Sequence, residues 1–255
     1  KLCMAVVLVH GLIGPGGQLA KRVVPGWTYF HQVEKRLREK HKLRTLSVVL
    51  GRGSPEERAP RLLDQIHAWP ERQPGERVSL IGHSQGGLDA RWAISQLNGA
   101  DLAHQLITLG TPHHGSSLCD SFVSPTLHRL PRLADALKRA NIQTDAARWL
   151  SRSYVEGEFN PRCPDALNVT YRSLAGVRHS RLEYWAPFMA TNAVLSRAEG
   201  ENDGLVSVQS AKWGDFLGTY ELDHIEMINF PLKPHRSPPW AMWDDVARLC
   251  VSPCP

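Results

Sequence analysis

Short apolar, β-branched runs recur along this chain, separated by stretches of helical period. Ala5–Val9, Thr45–Val49, Val78–Gly82, Leu106–Leu109 and Val169–Leu174 each read as buried strands. Phe30, Val33 and Leu37 fall on one face of a helix predicted over Trp27–Lys40. Leu62, Ile66 and Trp69 do the same over Pro55–Trp69. Alternation of strand and helix predicts an α/β fold, a mostly parallel sheet with helices on both faces. There is no internal repeat, and 255 residues suit one domain, 1–255.

One stretch breaks the rhythm. From Thr111 to Pro164 there is no strand signal, only polar loop and two amphipathic helices. Pro131 opens the first, with Leu130, Leu133 and Leu137 along one stripe. Ala147, Leu150 and Tyr154 mark the second. An insertion that follows a sheet strand is expected above the C-terminal edge of the sheet. There it serves either as a fixed helical cap or as a lid, residues 111–164.

The sharpest chemical signal is Gly82-His83-Ser84-Gln85-Gly86. It fits the nucleophile elbow G-x-S-x-G, with an apolar strand before it and a helical pattern from Gly87 to Ile94 after it. Such a turn strains the backbone of its central residue and lifts Ser84 Oγ out of the sheet. Gly82 and Gly86 leave room for strand and helix to close on each other. The new helix aims its N-terminus at any anion beside Ser84.

A nucleophilic serine needs a base, and the base needs a carboxylate to fix its tautomer. In an elbow fold these partners follow in the order serine, acid, histidine. His224 and His235 lie near the C-terminus, and His224, just after an expected last strand, is the better base. Asp203, in a turn that runs into an apolar segment expected to be a strand, is the preferred acid. Asp215 is the runner-up. Asp223 adjoins His224, and adjacent side chains on extended backbone diverge. The first strand ends in His10-Gly11-Leu12, so the N–H groups of Leu12 and Gln85 are the expected oxyanion hole. His10 reads as a structural hydrogen-bonding residue rather than a second base.

Composition narrows the partners. Net charge is +5, with arginine scattered and no basic tract, so a nucleic-acid groove is not expected. No apolar run approaches the roughly 20 residues of a membrane span. No basic region followed by an apolar one marks a signal peptide, and the compartment is left unassigned. Of the five cysteines, none forms a C-x-x-C pair, and Cys250 or Cys254 is available for a disulfide.

The segments Val7–Leu12, Val78–Gly87, Leu109–Ser116, Glu158–Asn160 and Asn202–Ser207 together resemble the bacterial true lipases of the Pseudomonas, Burkholderia and Proteus type, in the α/β-hydrolase superfamily. The resemblance implies an α/β-hydrolase fold and carboxylester hydrolysis of acylglycerols, with Ser84, Asp203 and His224 as triad. It also implies secretion and lid contact with a lipid interface. The family's structural calcium site takes a carboxylate two residues after the catalytic histidine and a glutamine four further on. Here those positions hold Glu226 and Phe230, with Glu183 as a stand-in for another acidic ligand. A phenyl ring offers calcium nothing, so no cofactor and no metal are expected. The apolar group Tyr184, Trp185, Pro187, Phe188 and Met189 suits either an acyl chain or ordinary core. A broad esterase, polyester hydrolase, phospholipase or acyltransferase would use the same triad. From other classes, the rivals are a non-catalytic lipid-binding module and a membrane-surface interaction protein.

Overall fold

The computed structural model describes residues 2–12, 22–123, 144–180, 183–184, 186, 188–231 and 238–253. Its strands are β1 (Leu2–Cys3), β2 (Ala5–Val9), β3 (Arg44–Ser47), β4 (Val78–His83), β5 (Ala103–Leu109), β6 (Thr170–Gly176), β7 (Asp215–Tyr220) and β8 (Ser252–Pro253). β1 and β8 form a small antiparallel pair, and the other six form one sheet in the order β3-β2-β4-β5-β6-β7. Every neighbour pair in the large sheet is parallel. The expected strands are therefore present, each displaced by at most a few residues at its ends.

The helices are α1 (Val33–Glu39), α2 (Pro55–His67), α3 (Gln85–Gln96), α4 (Ser117–Val123), α5 (Thr144–Leu150), α6 (Phe188–Ala198) and α7 (Trp240–Cys250), with shorter turns between them. β2 shows why both sheet faces need cover. Val7 and Val9 join a core cluster with Leu62, Ile66 and Leu88 from α2 and α3. Val6 and Leu8 join the opposite cluster with Val33, Leu37, Trp243 and Val246 from α1 and α7. A strand buried on both faces has to be continuously apolar, as this one is. The α2 start is written in the sequence. Ser54 and Glu57 form a reciprocal capping box, and Pro55 takes the first helical position. α1 begins later than its periodicity suggests because Gln32 adopts a left-handed φ of 61° at the cap.

One expectation is corrected. No strand follows Asp203: Asn202 and Ser207 meet in an isolated antiparallel bridge, and Val208–Ala211 turns helical, capped by the Ser207 side chain. Of the two cysteines available for a disulfide, Cys250 is buried and free, like Cys119 and Cys163, and Cys254 lies outside the described residues. Between Thr111 and Pro164 no strand occurs among the described residues, and Ala147, Leu150 and Tyr154 are buried in the α2–α3 cluster. The helix expected after Pro131 lies outside the described residues.

Candidate active site

Ser84 sits between β4 and α3 with φ 56° and ψ −132°. That left-handed conformation is costly for a residue with a side chain, and the surroundings must enforce it. Its N–H donates to the Leu109 carbonyl at 3.0 Å. Its carbonyl accepts from the Gly87 N–H at 3.1 Å and the Thr111 hydroxyl at 2.8 Å. The flanking glycines are required by space. A Cβ on Gly82 would lie 2.5 Å from Gly87 Cα, and one on Gly86 only 2.2 Å from the Val9 carbonyl oxygen.

Asp203 and His224 are brought together from segments 21 residues apart. His224 Nδ1 lies 2.7 Å from Asp203 Oδ2, and both side chains are almost wholly buried. An ionised carboxylate only accepts, so Nδ1 carries a proton and the neutral tautomer with a free Nε2 is the one this contact favours. The other Asp203 oxygen accepts the N–H groups of Leu205 and Val206, at 2.9 and 2.8 Å. The His224 N–H donates to the Asp203 carbonyl at 2.9 Å, so backbone and side chain are both docked on the acid. Asp215 stands exposed at the start of β7, the opposite end of that strand from the turn bearing His224. Asp223 accepts the Glu226 N–H at 3.0 Å and caps a turn. His235 lies outside the described residues.

His83, the residue before Ser84, connects these parts. Its ring centroid is 4.5 Å from that of His224. Burial, followed by the neighbouring His224, holds its pKa well below the usual value, so it is neutral. Nε2 lies 3.0 Å from the His224 carbonyl, which only accepts, so the proton is on Nε2. Nδ1 then accepts the Tyr29 hydroxyl at 2.8 Å. Tyr29 came from no sequence motif, and only the fold brings it to His83.

The loop after β2 passes against the elbow. A Cβ on Gly11 would be 2.7 Å from Ser84 Cβ. His10 is structural in geometry: Nε2 accepts the Leu50 N–H at 2.9 Å and Nδ1 donates to the Gly11 carbonyl at 2.6 Å. Burial and then Arg58 lower its pKa to about 4, consistent with that neutral form. Arg58, itself paired with Asp89 at 3.1 Å in full burial, donates to the His10 carbonyl. Leu12 is half-buried at the end of this loop, and Gln85 opens α3, where the first N–H groups have no helical partner.

Residues 5–163 match the family described as palmitoyl protein thioesterase. A triacylglycerol lipase of Vibrio cholerae is 31% identical over 90% of this chain and 81% of its own length. The chain belongs to the lipase and palmitoyl-thioesterase family of α/β-hydrolases. It is an ester hydrolase. Triacylglycerol lipase 2 of Saccharomyces cerevisiae is also 31% identical, over 80% of this chain, and this chain spans 63% of that protein's length. The fold agrees with a Bacillus licheniformis lipase in its mature form, at a TM-score of 0.75 and 22% identity over 97% of this chain and 92% of that one.

Within this lipase relative, the apolar group before the acid divides in two. Tyr184 is buried and its hydroxyl reaches the carbonyls of Arg178 and Asn202, at 2.9 and 2.8 Å. Phe188 packs on the acid turn, where a Cβ on Gly204 would lie 2.8 Å from its own Cβ. These two brace Asp203 from behind. Trp185 and Pro187 lie outside the described residues.

Proposed function

We propose that this chain is a serine carboxylester hydrolase acting on acylglycerol esters, with Ser84 as nucleophile, His224 as general base and acid, and Asp203 as its orienting carboxylate. The observation that carries the reading is the buried 2.7 Å contact between His224 Nδ1 and Asp203 Oδ2, together with a serine held at positive φ next in the chain to His83, whose ring lies 4.5 Å from that of His224. Ser84 Oγ attacks the ester carbonyl while its proton passes to His224 Nε2. The oxyanion is held by the N–H groups of Leu12 and Gln85. His224 then protonates the departing alkoxide, leaving an acyl-enzyme. Water, deprotonated by His224, attacks the acyl carbon, and Ser84 leaves with the proton. In this reading residues 111–164 are the lid, and the substrate is a lipid or other ester met at an interface. The match to the thioesterase family favours a second reading, a long-chain acyl thioester, cleaved by the same steps with a thiolate leaving.

A fluorophosphonate probe and a p-nitrophenyl ester series from C2 to C16 test the assignment. The wild type should be labelled and should turn over the esters. Ser84→Ala should lose both while keeping its melting temperature. Asp203→Asn should cost on the order of 10⁴ in kcat by imposing the wrong histidine tautomer. Near wild-type turnover in Ser84→Ala would remove the mechanism, and a larger loss in Asp215→Asn than in Asp203→Asn would move the acid.

A further inference from the structure

His224 rides on residues 221–230, between β7 and α7, with neither strand nor long helix to hold it. Part of its anchorage is apolar: Met227, Ile228 and Phe230 are buried in the α1–α7 cluster. The rest is a buried ion pair. Arg178, two residues beyond β6, donates Nε and Nη2 to Glu226 Oε2 at 3.0 and 2.6 Å. Side-chain exposure is 4% for Arg178 and 1% for Glu226.

The pair is built into the turn. Glu226 Oε2 also accepts the Asp223 N–H at 2.7 Å, while Asp223 Oδ1 accepts the Glu226 N–H at 3.0 Å. The two carboxylates close a reciprocal ring around the residues between them, and His224 is one of those residues. Arg178 in turn is tied to the acid side, since the Tyr184 hydroxyl contacts both its carbonyl and that of Asn202. One guanidinium thus joins the base turn to the neighbourhood of Asp203.

This arrangement does not fit the calcium site that the family resemblance implies. Glu226, the carboxylate expected at the ion, already holds a guanidinium, and a second cation beside that guanidinium would be repelled in a region of low dielectric. Phe230 has no side-chain oxygen to offer an ion, and its ring is buried in the α1–α7 cluster. We infer that Arg178 is a positioning residue whose guanidinium stands in for a structural cation, fixing the His224 turn through Glu226 without any metal. The inference rests on the reading of His224 as the base.

Calorimetric titration of the purified protein with calcium chloride, and melting curves with EDTA or excess calcium, test the metal half. No saturable binding and unchanged melting are expected. Saturable calcium binding that raises the melting temperature and disappears in Glu226→Gln would overturn the inference. The positioning half is tested by Arg178→Met, read as kcat and KM on p-nitrophenyl butyrate. A loss of kcat on the order of 10–100-fold is expected, since about an ångström of misplacement costs this much. KM should stay within about twofold, and Arg178→Lys should recover part of kcat. A folded Arg178→Met with wild-type kcat would overturn the inference. If that variant does not fold, unchanged kcat in the isosteric Glu226→Gln does the same. Ser84→Ala and His224→Ala separate the two readings: activity surviving in them removes the triad, whereas the calcium titration is indifferent to it.

Discussion

At the scale of single residues, the site depends on groups that only accept or only donate. Asp203 can only accept, which puts the His224 proton on Nδ1. The His224 carbonyl can only accept, which puts the His83 proton on Nε2. Tyr29 closes the series by donating to His83 Nδ1. Tyr29→Phe removes that donor and leaves a buried acceptor unpaired, at a cost of about 1–3 kcal/mol. His83 then has a reason to re-form as the other tautomer and release the His224 carbonyl. The expected outcome is a clear drop in kcat with a smaller change in KM, measured on a soluble ester. Equal kcat in wild type and Tyr29→Phe would show that His83 holds its tautomer without help. Burial keeps His83 neutral across the working range, so this arrangement should not switch with pH. The elbow serine was legible in the sequence because its requirements are local: strand, two glycines and helix lie within a few residues. Tyr29 and His83 are 54 positions apart, and Arg178 and Glu226 are 48 apart. No spacing rule links such pairs before the sheet is assembled.

At the scale of elements, the clearest lesson concerns how α1 docks on α7. Asp244 on α7 receives Arg36 at 2.8 Å, Lys40 at 2.7 Å and His41 at 2.7 Å. Arg36 also lies over the Trp240 ring, 4.9 Å from its centroid. The hydrogen bond from Arg36 is the main cause that drives the Asp244 carboxyl far below its ordinary range. A carboxylate with a depressed folded pKa contributes stability above its unfolded pKa of about 3.9, and loses it as pH falls toward the folded value. Asp244→Asn should therefore lower stability by about 1–3 kcal/mol at pH 7. The difference from wild type should shrink as pH is taken below about 4. Urea unfolding at pH 7 and pH 3 measures both arms, and an equal gap at the two pH values would refute the assignment. Periodicity predicted α1 and its apolar face through Val33 and Leu37, and both are buried as expected. It could not predict the strand missing after Asp203. Leu205-Val206 is apolar enough for a strand, but Asp203 Oδ1 captures both of their N–H groups. A side chain that takes the backbone donors leaves no ladder to build.

At the scale of the whole molecule, the fold brings the three proposed triad members to one edge of the sheet: Ser84 follows β4, His224 follows β7, and Asp203 comes from the turn after α6, beside the end of β6. Alternation of apolar runs with helical patterns was enough to foresee that sheet and its two covers, because parallel strands bury both faces. The role of residues 111–164 is the part that composition could only outline. Their buried anchor, Ala147, Leu150 and Tyr154, packs on the α2–α3 side of the core. If this segment is a lid opened by lipid, hydrolysis of tributyrin should rise abruptly where droplets form. A smooth hyperbola through the solubility limit would leave it a fixed cap.

The three free cysteines among the described residues give the molecule an internal clock. Cys119, Cys163 and Cys250 are each under 4% exposed. Burial raises every one of their pKa values, Cys163 to about 11 and Cys250 to about 12. Only a thiolate attacks a disulfide reagent, so in the native state these sulfurs are both hidden and protonated. They become reactive only when their part of the chain opens. Cys119 lies in α4 of the inserted segment, Cys163 at its end and Cys250 at the close of α7. Timed labelling, followed by mass spectrometry of each cysteine peptide, should therefore report separate opening rates for separate parts of the fold. Under gentle conditions, Cys119 should be modified before Cys250 if the insertion opens independently of the sheet. Labelling of the two at one common rate would mean that the insertion and the core come apart as a single cooperative unit.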